Sequence, residues 1–359
     1  MTEVHVIVPE GIDDPGRPSG GNTYDRRVCD GLAALGWTVR EHAVRDAAAL
    51  ARAVRRIPDG AVALLDGLIA STAPEVLLPQ AGRLRQVVLV HMPLGHRPPE
   101  DEAGAVRACE GEVLAAATAV VTTSSWTRRR LGELYALPAD RVHVAEPGVD
   151  GATLAPGTAG GDSLLCVAAL TPDKGHAVLL DGLAMVADLS WQCECVGSLV
   201  GDPAFGDSVR RRARELGLGD RALFPGASTG LELDRAYAAA DLLVVASHAE
   251  TYGMVVTEAL ARGTPVLATE VGGVTEALGQ GEDGTRPGLL VPPGDPAALG
   301  AALRAWLEDA ELRDRLRRAA RERRANLRPW AATASAIADV LARVAESAEA
   351  VADFAGAAR

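Results

Sequence analysis

Ser247-His248-Ala249-Glu250-Thr251-Tyr252-Gly253-Met254-Val255-Val256-Thr257-Glu258 follows the apolar run Asp241–Val245 and leads into Ala259-Leu260-Ala261-Arg262-Gly263-Thr264-Pro265-Val266. The run reads as a buried strand, and the residues after Gly253 read as the helix that follows it. Glu250 then lies in the connecting loop, and Glu258 lies about one turn into the helix. Tyr252-Gly253-Met254 spans the helix start. A helix start presents unpaired N–H groups to an anion, and a carboxylate accepts well from paired hydroxyls. One such segment can hold a nucleotide sugar. Glu250 would take sugar hydroxyls, the amides from Gly253 to Val255 a phosphate, and Glu258 the ribose.

The same alternation of short apolar runs and amphipathic stretches extends along almost the whole chain. In the first half, strands are expected at Val4–Val8, Thr38–His42, Ala61–Leu65, Val87–Val90, Ala119–Thr122 and Val142–Ala145. In the second, they are expected at Leu164–Ala168, Trp191–Val196, Ala222–Phe224, Leu242–Val245, Val266–Ala268 and Leu289–Val291. Helical spacing fills most of the gaps. This pattern predicts α/β architecture with parallel sheets. The Gly- and Pro-rich stretch from Pro147 to Gly161 reads as a linker. It divides the chain into two Rossmann-like lobes, 1–155 and 156–329, expected to face a central cleft.

Doubly wound sheets bind ligands at the carboxyl ends of their strands, so candidate chemistry is sought there. After the first strand, Gly20-Gly21 precedes a helix, where glycines allow close backbone approach. After the fourth, His91 stands where it can meet a sugar hydroxyl or the reaction centre. In the second half, Lys174 follows the strand Leu164–Ala168, placed to neutralise a diphosphate leaving group. Lysine is very rare in this Arg-rich chain, which raises interest in Lys174. Each of these four also has an ordinary structural reading, as a turn, a core histidine or a surface amine.

Composition narrows the class. The 359 residues carry a formal net charge of −12, with 48% hydrophobic and 3% aromatic residues. The acidity argues against a nucleic-acid partner, and no apolar run reaches the ~20 residues of a membrane span. Five cysteines form no disulfide framework. Cys193 and Cys195 alternate along one strand face and read as buried thiols. With no signal-peptide pattern at the start, a cytoplasmic location is expected. The eight arginines from Arg313 to Arg328 are interspersed with acids and read as a solvated helix face.

On these residues the chain resembles the retaining glycosyltransferases of family 4, which have the GT-B fold. The resemblance rests on the E-x7-E pair Glu250 and Glu258, Gly263-Thr264-Pro265-Val266, Gly272-Gly273 before Glu276, Lys174-Gly175, Gly20-Gly21 and His91. Val121-Thr122-Thr123-Ser124 and Pro147-Gly148-Val149-Asp150 also sit as in family members. It implies metal-independent transfer of a sugar from a nucleotide diphosphate donor, UDP- or GDP-linked, to a small-molecule acceptor, with retention at the anomeric carbon. His91, Lys174 and Glu250 would be catalytic. Gly20, Gly21, Lys174, Glu250, Tyr252, Gly253, Met254, Val255 and Glu258 would bind the donor. No cofactor beyond the substrate and no metal are implied, and no Asp-x-Asp pair occurs. Asp66-Gly67 and the loop from His91 to Arg97 would line the acceptor site. One departure is plain: Ala168-Ala169 stands where many members carry Gly-Arg, so one leaving-group cation is missing. A nucleotide-sugar epimerase or hydrolase, or a nucleotide-sugar-binding pseudo-enzyme, are the alternatives. The resemblance also implies a final helix, 330–359, packed back on the first lobe.

Overall fold

The computed structural model describes residues 2–16, 18–199, 201–281 and 283–357, with side chains of the last helix described as far as Glu346. The polypeptide forms two compact units. One comprises 1–13, 20–148 and 330–359, the other 14–19 and 149–329.

The first unit is built on β1 (Glu3–Pro9), β2 (Thr38–Val44), β3 (Val62–Asp66), β4 (Arg85–Val90), β5 (Ala119–Thr122) and β6 (Val142–Val144), all parallel, in the order β2-β1-β3-β4-β5-β6. Its helices are α1 (Gly20–Ala34), α2 (Ala47–Arg56), α3 (Gly67–Ala70), α4 (Pro74–Leu77), α5 (Ala103–Ala116) and α6 (Ser125–Tyr135). Side chains alternate across the strands, as a period of two requires. Val4, Val6 and Val8 enter one apolar cluster and Ile7 the other. Both faces are therefore covered, which is why these strands read as continuous apolar runs.

The second unit repeats the plan. Its strands β7 (Ser163–Val167), β8 (Gln192–Val196), β9 (Ala222–Gly226), β10 (Leu242–Val245), β11 (Val266–Thr269) and β12 (Gly288–Val291) order as β12-β11-β10-β7-β8-β9, again all parallel. Helices α7 (His176–Ala184), α8 (Pro203–Glu215), α9 (Gly230–Ala239), α10 (Met254–Ala261), α11 (Val274–Leu278), α12 (Pro296–Glu308) and α13 (Ala310–Arg324) flank it. Sequence reading places every strand to within two residues at each end. It does not foresee α9. The helix α14 (Trp330–Ala357) completes the first unit. Ile337, Val340, Leu341 and Val344 enter the Val4 cluster. A methyl group on Gly31 of α1 would stand 2.4 Å from Ala334 Cβ, so the two helices touch through small residues.

Three expectations need correction. The stretch from Pro147 to Gly161 is not a loose linker. Val149 N–H donates to Arg328 O and Ala155 N–H to Arg262 O, each at 2.9 Å. Asp241, its side chain fully buried, accepts from Thr158 Oγ1 and from the amides of Thr158 and Ser163. The units accordingly divide after Gly148, not after 155. Second, α1 begins at Gly20, three residues before the apolar pattern starts, because the glycines give no apolar signal although they adopt helical geometry. Third, four of the arginines from Arg313 to Arg328 do more than solvate a helix face: each donates to backbone carbonyls, with Arg313 buried, Arg317 and Arg323 half-buried and Arg324 exposed. Arg313 caps Trp306 O and Leu307 O, Arg317 bonds Thr158 O and Asp241, Arg323 bonds Leu278 O, and Arg324 bonds Ala261 O and Ala152 O.

Candidate functional site

In each sheet the strand order turns back on itself, between β1 and β3 in the first and between β7 and β10 in the second. Ligands of open α/β sheets lie at the carboxyl ends of strands beside such a switch point. In the second unit, Lys174 lies in the connection after β7 and Glu250 in the loop after β10. Adjacent strands thus deliver the two groups to one place.

Two glycine turns fix their approach. Gly175 has φ +68°, and a methyl group there would lie 1.9 Å from Ala246 O, so the Lys174 turn packs directly on the end of β10. Gly272 has φ +54°, and a methyl group there would lie 1.5 Å from Glu250 O. Gly273 N–H donates to that same carbonyl at 3.1 Å. Only glycine allows both the left-handed conformation and the contact. Lys174 Nζ then reaches Glu250 Oε1 at 2.8 Å, and Ser247 Oγ donates to the same oxygen at 2.9 Å. Burial alone would lower the Lys174 pKa, but the adjacent Glu250 carboxylate outweighs it and holds the ammonium above its ordinary range. Lys174 is the sole lysine of the chain.

Gly253 (φ +94°) caps α10. The amides of Met254 and Val255 have no backbone acceptor among the described residues. Four residues along α10 from Met254 stands Glu258, its Oε2 accepting from Tyr237 Oη at 2.6 Å. Burial pushes the Glu258 carboxyl up, opposed by the Tyr237 hydroxyl and by Arg262. Arg262 lies over the Tyr237 ring, 4.6 Å from its centroid. The Tyr252 side chain goes elsewhere: it is 6% exposed and packs in the core with Val256 and Val274.

The first unit assembles a second group at its own switch point. His91, after β4, places Nε2 2.7 Å from Asp25 Oδ1 of α1 and 3.5 Å from Asp66 Oδ2 at the end of β3. Gly21 faces the same ring, where a methyl group would meet His91 Cδ2 at 3.5 Å. Tyr24 meets the ring edge-on with centroids 5.2 Å apart. The loop after His91 is pinned by Glu110, which is fully buried and accepts from the amides of Leu94 and Gly95. Asp25, Asp66 and His91 are the one cluster of donor atoms among the described residues spaced for a metal ion, all within 4.8 Å of one another. In this arrangement His91 Nε2 is already engaged by Asp25.

Asp25, Glu110 and Tyr237 carry these sites but were not singled out from sequence. Asp25 had a readable signal, because it lies four residues after Gly21 and so on the same helix face.

Comparison with known proteins decides the family. Residues 2–152 match the model described as Glycosyltransferase Family 4, and residues 159–323 match that for Glycosyl transferases group 1. The chain belongs to glycosyltransferase family 4. It is 34% identical over 246 residues to a D-inositol 3-phosphate glycosyltransferase of Frankia alni, covering 64% of this chain and 59% of that protein. It is 32% identical over 260 residues to one of Corynebacterium efficiens, covering 67% and 60%. The matched stretch thus spans about three fifths of these relatives. Among solved structures, a sucrose-phosphate synthase from Thermosynechococcus elongatus superposes with a TM-score of 0.80 at 23% identity, covering 97% of this chain and 100% of that one. The Anabaena protein HepE in complex with UDP-glucose gives a TM-score of 0.77 at 18% identity, covering 96% and 100%. The family 4 chain therefore has the GT-B fold, with two Rossmann-like lobes. None of its described helices is long and apolar enough to cross a membrane.

Proposed function

We propose that this protein transfers a sugar from a nucleotide diphosphate sugar to the hydroxyl of a small-molecule acceptor, with retention of anomeric configuration and without a metal. The observation that carries the reading is the meeting of Lys174 and Glu250 beside the first turn of α10, with Glu258 on the same helix. In this reading the amides of Met254 and Val255 and the Lys174 ammonium take the diphosphate. Glu250 holds sugar hydroxyls and Glu258 the ribose, with Gly20 and Gly21 leaving room for close approach. His91 meets a hydroxyl of the sugar or acceptor. The protein supplies position and charge, and the departing phosphate takes the acceptor proton. Lys174 then acts without the arginine that many family members carry at position 169.

The relatives' names suggest the first acceptors to try, phosphorylated cyclitols. Donor and acceptor panels are incubated with the protein, and the product is read by proton NMR. An axial donor should yield an axial glycoside, with EDTA making no difference. Conversion of donor without acceptor would favour the epimerase or hydrolase reading. Binding without turnover of any donor would favour the pseudo-enzyme.

A further inference from the structure

The group around His91 in the first unit has no counterpart in the role assigned to it from sequence, which needed only a hydrogen-bonding imidazole. Two carboxylates converge on one ring nitrogen. Asp25 Oδ1 lies 2.7 Å from Nε2, and Asp66 Oδ2 approaches the same atom at 3.5 Å. Asp66 is itself held, because its Oδ1 accepts from Leu68 N–H at 2.7 Å and Ile69 N–H at 3.2 Å as the cap of α3. Both carboxylates are almost fully buried, and Asp25 Oδ2 has no partner among the described residues. A buried carboxylate with so few donors is stabilised by the cation beside it. Tyr24 and Gly21 close on the ring from α1. The ring thus has its Nε2 engaged by Asp25. Its other nitrogen, Nδ1, has no protein partner among the described residues.

We propose that Asp25 is a positioning residue which, with Asp66, fixes His91 as an imidazolium, so that His91 serves transfer as a cationic hydrogen-bond donor through Nδ1–H and not as a general base. The proposal rests on the transferase reading for what meets Nδ1. A protonated ring has no lone pair to accept the acceptor's proton, which leaves that proton to the departing phosphate. The groups facing the ring are Asp25 and Tyr24 from α1 and Asp66 from β3. Burial works against protonation of His91, but Asp25 and then Asp66 override it and raise its pKa above the ordinary value. The cluster holds two carboxylates and one cation. It is therefore suited to a neutral hydroxyl rather than to a phosphate.

The test is a titration of the ring nitrogens by NMR in protein labelled with nitrogen-15 histidine, His91 being assigned by loss of its signal in His91→Gln. The expected result is a midpoint above 6.5 in the wild type, moving down in Asp25→Asn. Affinity for the nucleoside diphosphate alone, measured in parallel, should stay within about twofold, since the groups proposed to hold diphosphate and ribose lie in the other unit. In Asp25→Asn, kcat should fall by on the order of 10²-fold near pH 8, the usual cost of one lost transition-state donor. It should recover as pH is lowered through the new midpoint, while donor KM holds. A merely structural role for Asp25 would give no recovery at low pH. A wild-type midpoint at or below 6.5 overturns the proposal, and so does collapse of the His91 signal onto a metal-bound shift with Zn2+ at activity-supporting concentration. Should Asp25→Asn fail to fold, the wild-type titration and Asp66→Asn decide. A protein that transfers no sugar while His91 titrates high would refute the transferase reading and spare the imidazolium.

Discussion

Lys174 Nζ stands 2.8 Å from Glu250 Oε1, joining the exits of the two strands that flank the switch point of the second sheet. Both side chains are mostly buried, at 21% and 15% exposure, so the pair is shielded from water and salt more than a surface pair. Lys174→Ala should abolish transfer and cost about 1–3 kcal/mol of stability, because it strands a buried carboxylate. Glu250→Ala should abolish transfer while the fold survives. The double variant should cost less than the sum of the two, since the groups are in contact. Urea unfolding and single-turnover rates check all three. Additive losses would mean the pair is not coupled.

Because the chain contains no other lysine, amine chemistry reports on this site directly. Lys174 is held protonated by Glu250, and only the neutral amine is nucleophilic. Acetylation near pH 8.5 should be slow in the wild type, faster in Glu250→Ala, and slowed further by a nucleoside diphosphate. Peptide mass spectrometry reads the modified fraction. Equal rates in wild type and Glu250→Ala would place the ammonium elsewhere in solution.

Glu258 pits stability against binding. Burial raises its pKa above the ordinary 4.5, so the folded state holds the proton more tightly than the unfolded one. That contribution is present in full below 4.5 and is lost as pH rises through the folded value, leaving an ionised, desolvated carboxylate above it. Glu258→Gln keeps an acceptor for Tyr237 and removes the charge. It should raise unliganded stability at pH 7 by about 0.5–2 kcal/mol, with little change at pH 4, while weakening nucleotide-sugar binding. Thermal unfolding at the two pH values checks this, and a destabilised Glu258→Gln at pH 7 would reverse the sign.

Much of this was legible in the sequence, for identifiable reasons. Buried parallel strands leave unbroken apolar runs, so all twelve strands were found. The E-x7-E segment kept its positions because a loop and one helix turn are local. What was missed is long-range or carries no apolar signal. Gly20 and Gly21 start α1 without adding to its pattern. Asp25 and Asp66 are 41 positions apart and meet only because β1 and β3 are neighbours in the sheet. Tyr237 lies on α9, whose polar start Gly230-Leu231-Glu232 hid the helix. The Ala168-Ala169 departure was plain, and among the described residues the side-chain partners of Glu250 are Lys174 and Ser247.

The glycines that shape the donor site should be intolerant of a single methyl group. Gly272→Ala combines a left-handed φ with a backbone collision against Glu250 O, as Gly175→Ala does against Ala246 O. Each should cost about 2–4 kcal/mol, well above an ordinary surface change. Gly132→Ala, with open space around it in α6, should be neutral or slightly stabilising. Chemical denaturation of the three variants separates these outcomes.

The most direct test of the account is calorimetric titration of UDP- and GDP-linked sugars into the wild type and into Glu258→Ala. The account predicts saturable one-to-one binding of one donor class, lost or weakened by at least about tenfold in the variant, equal to 1.4 kcal/mol. Undiminished binding in Glu258→Ala, or none to the wild type, would contradict the assignment of α10 and its preceding loop as the donor site.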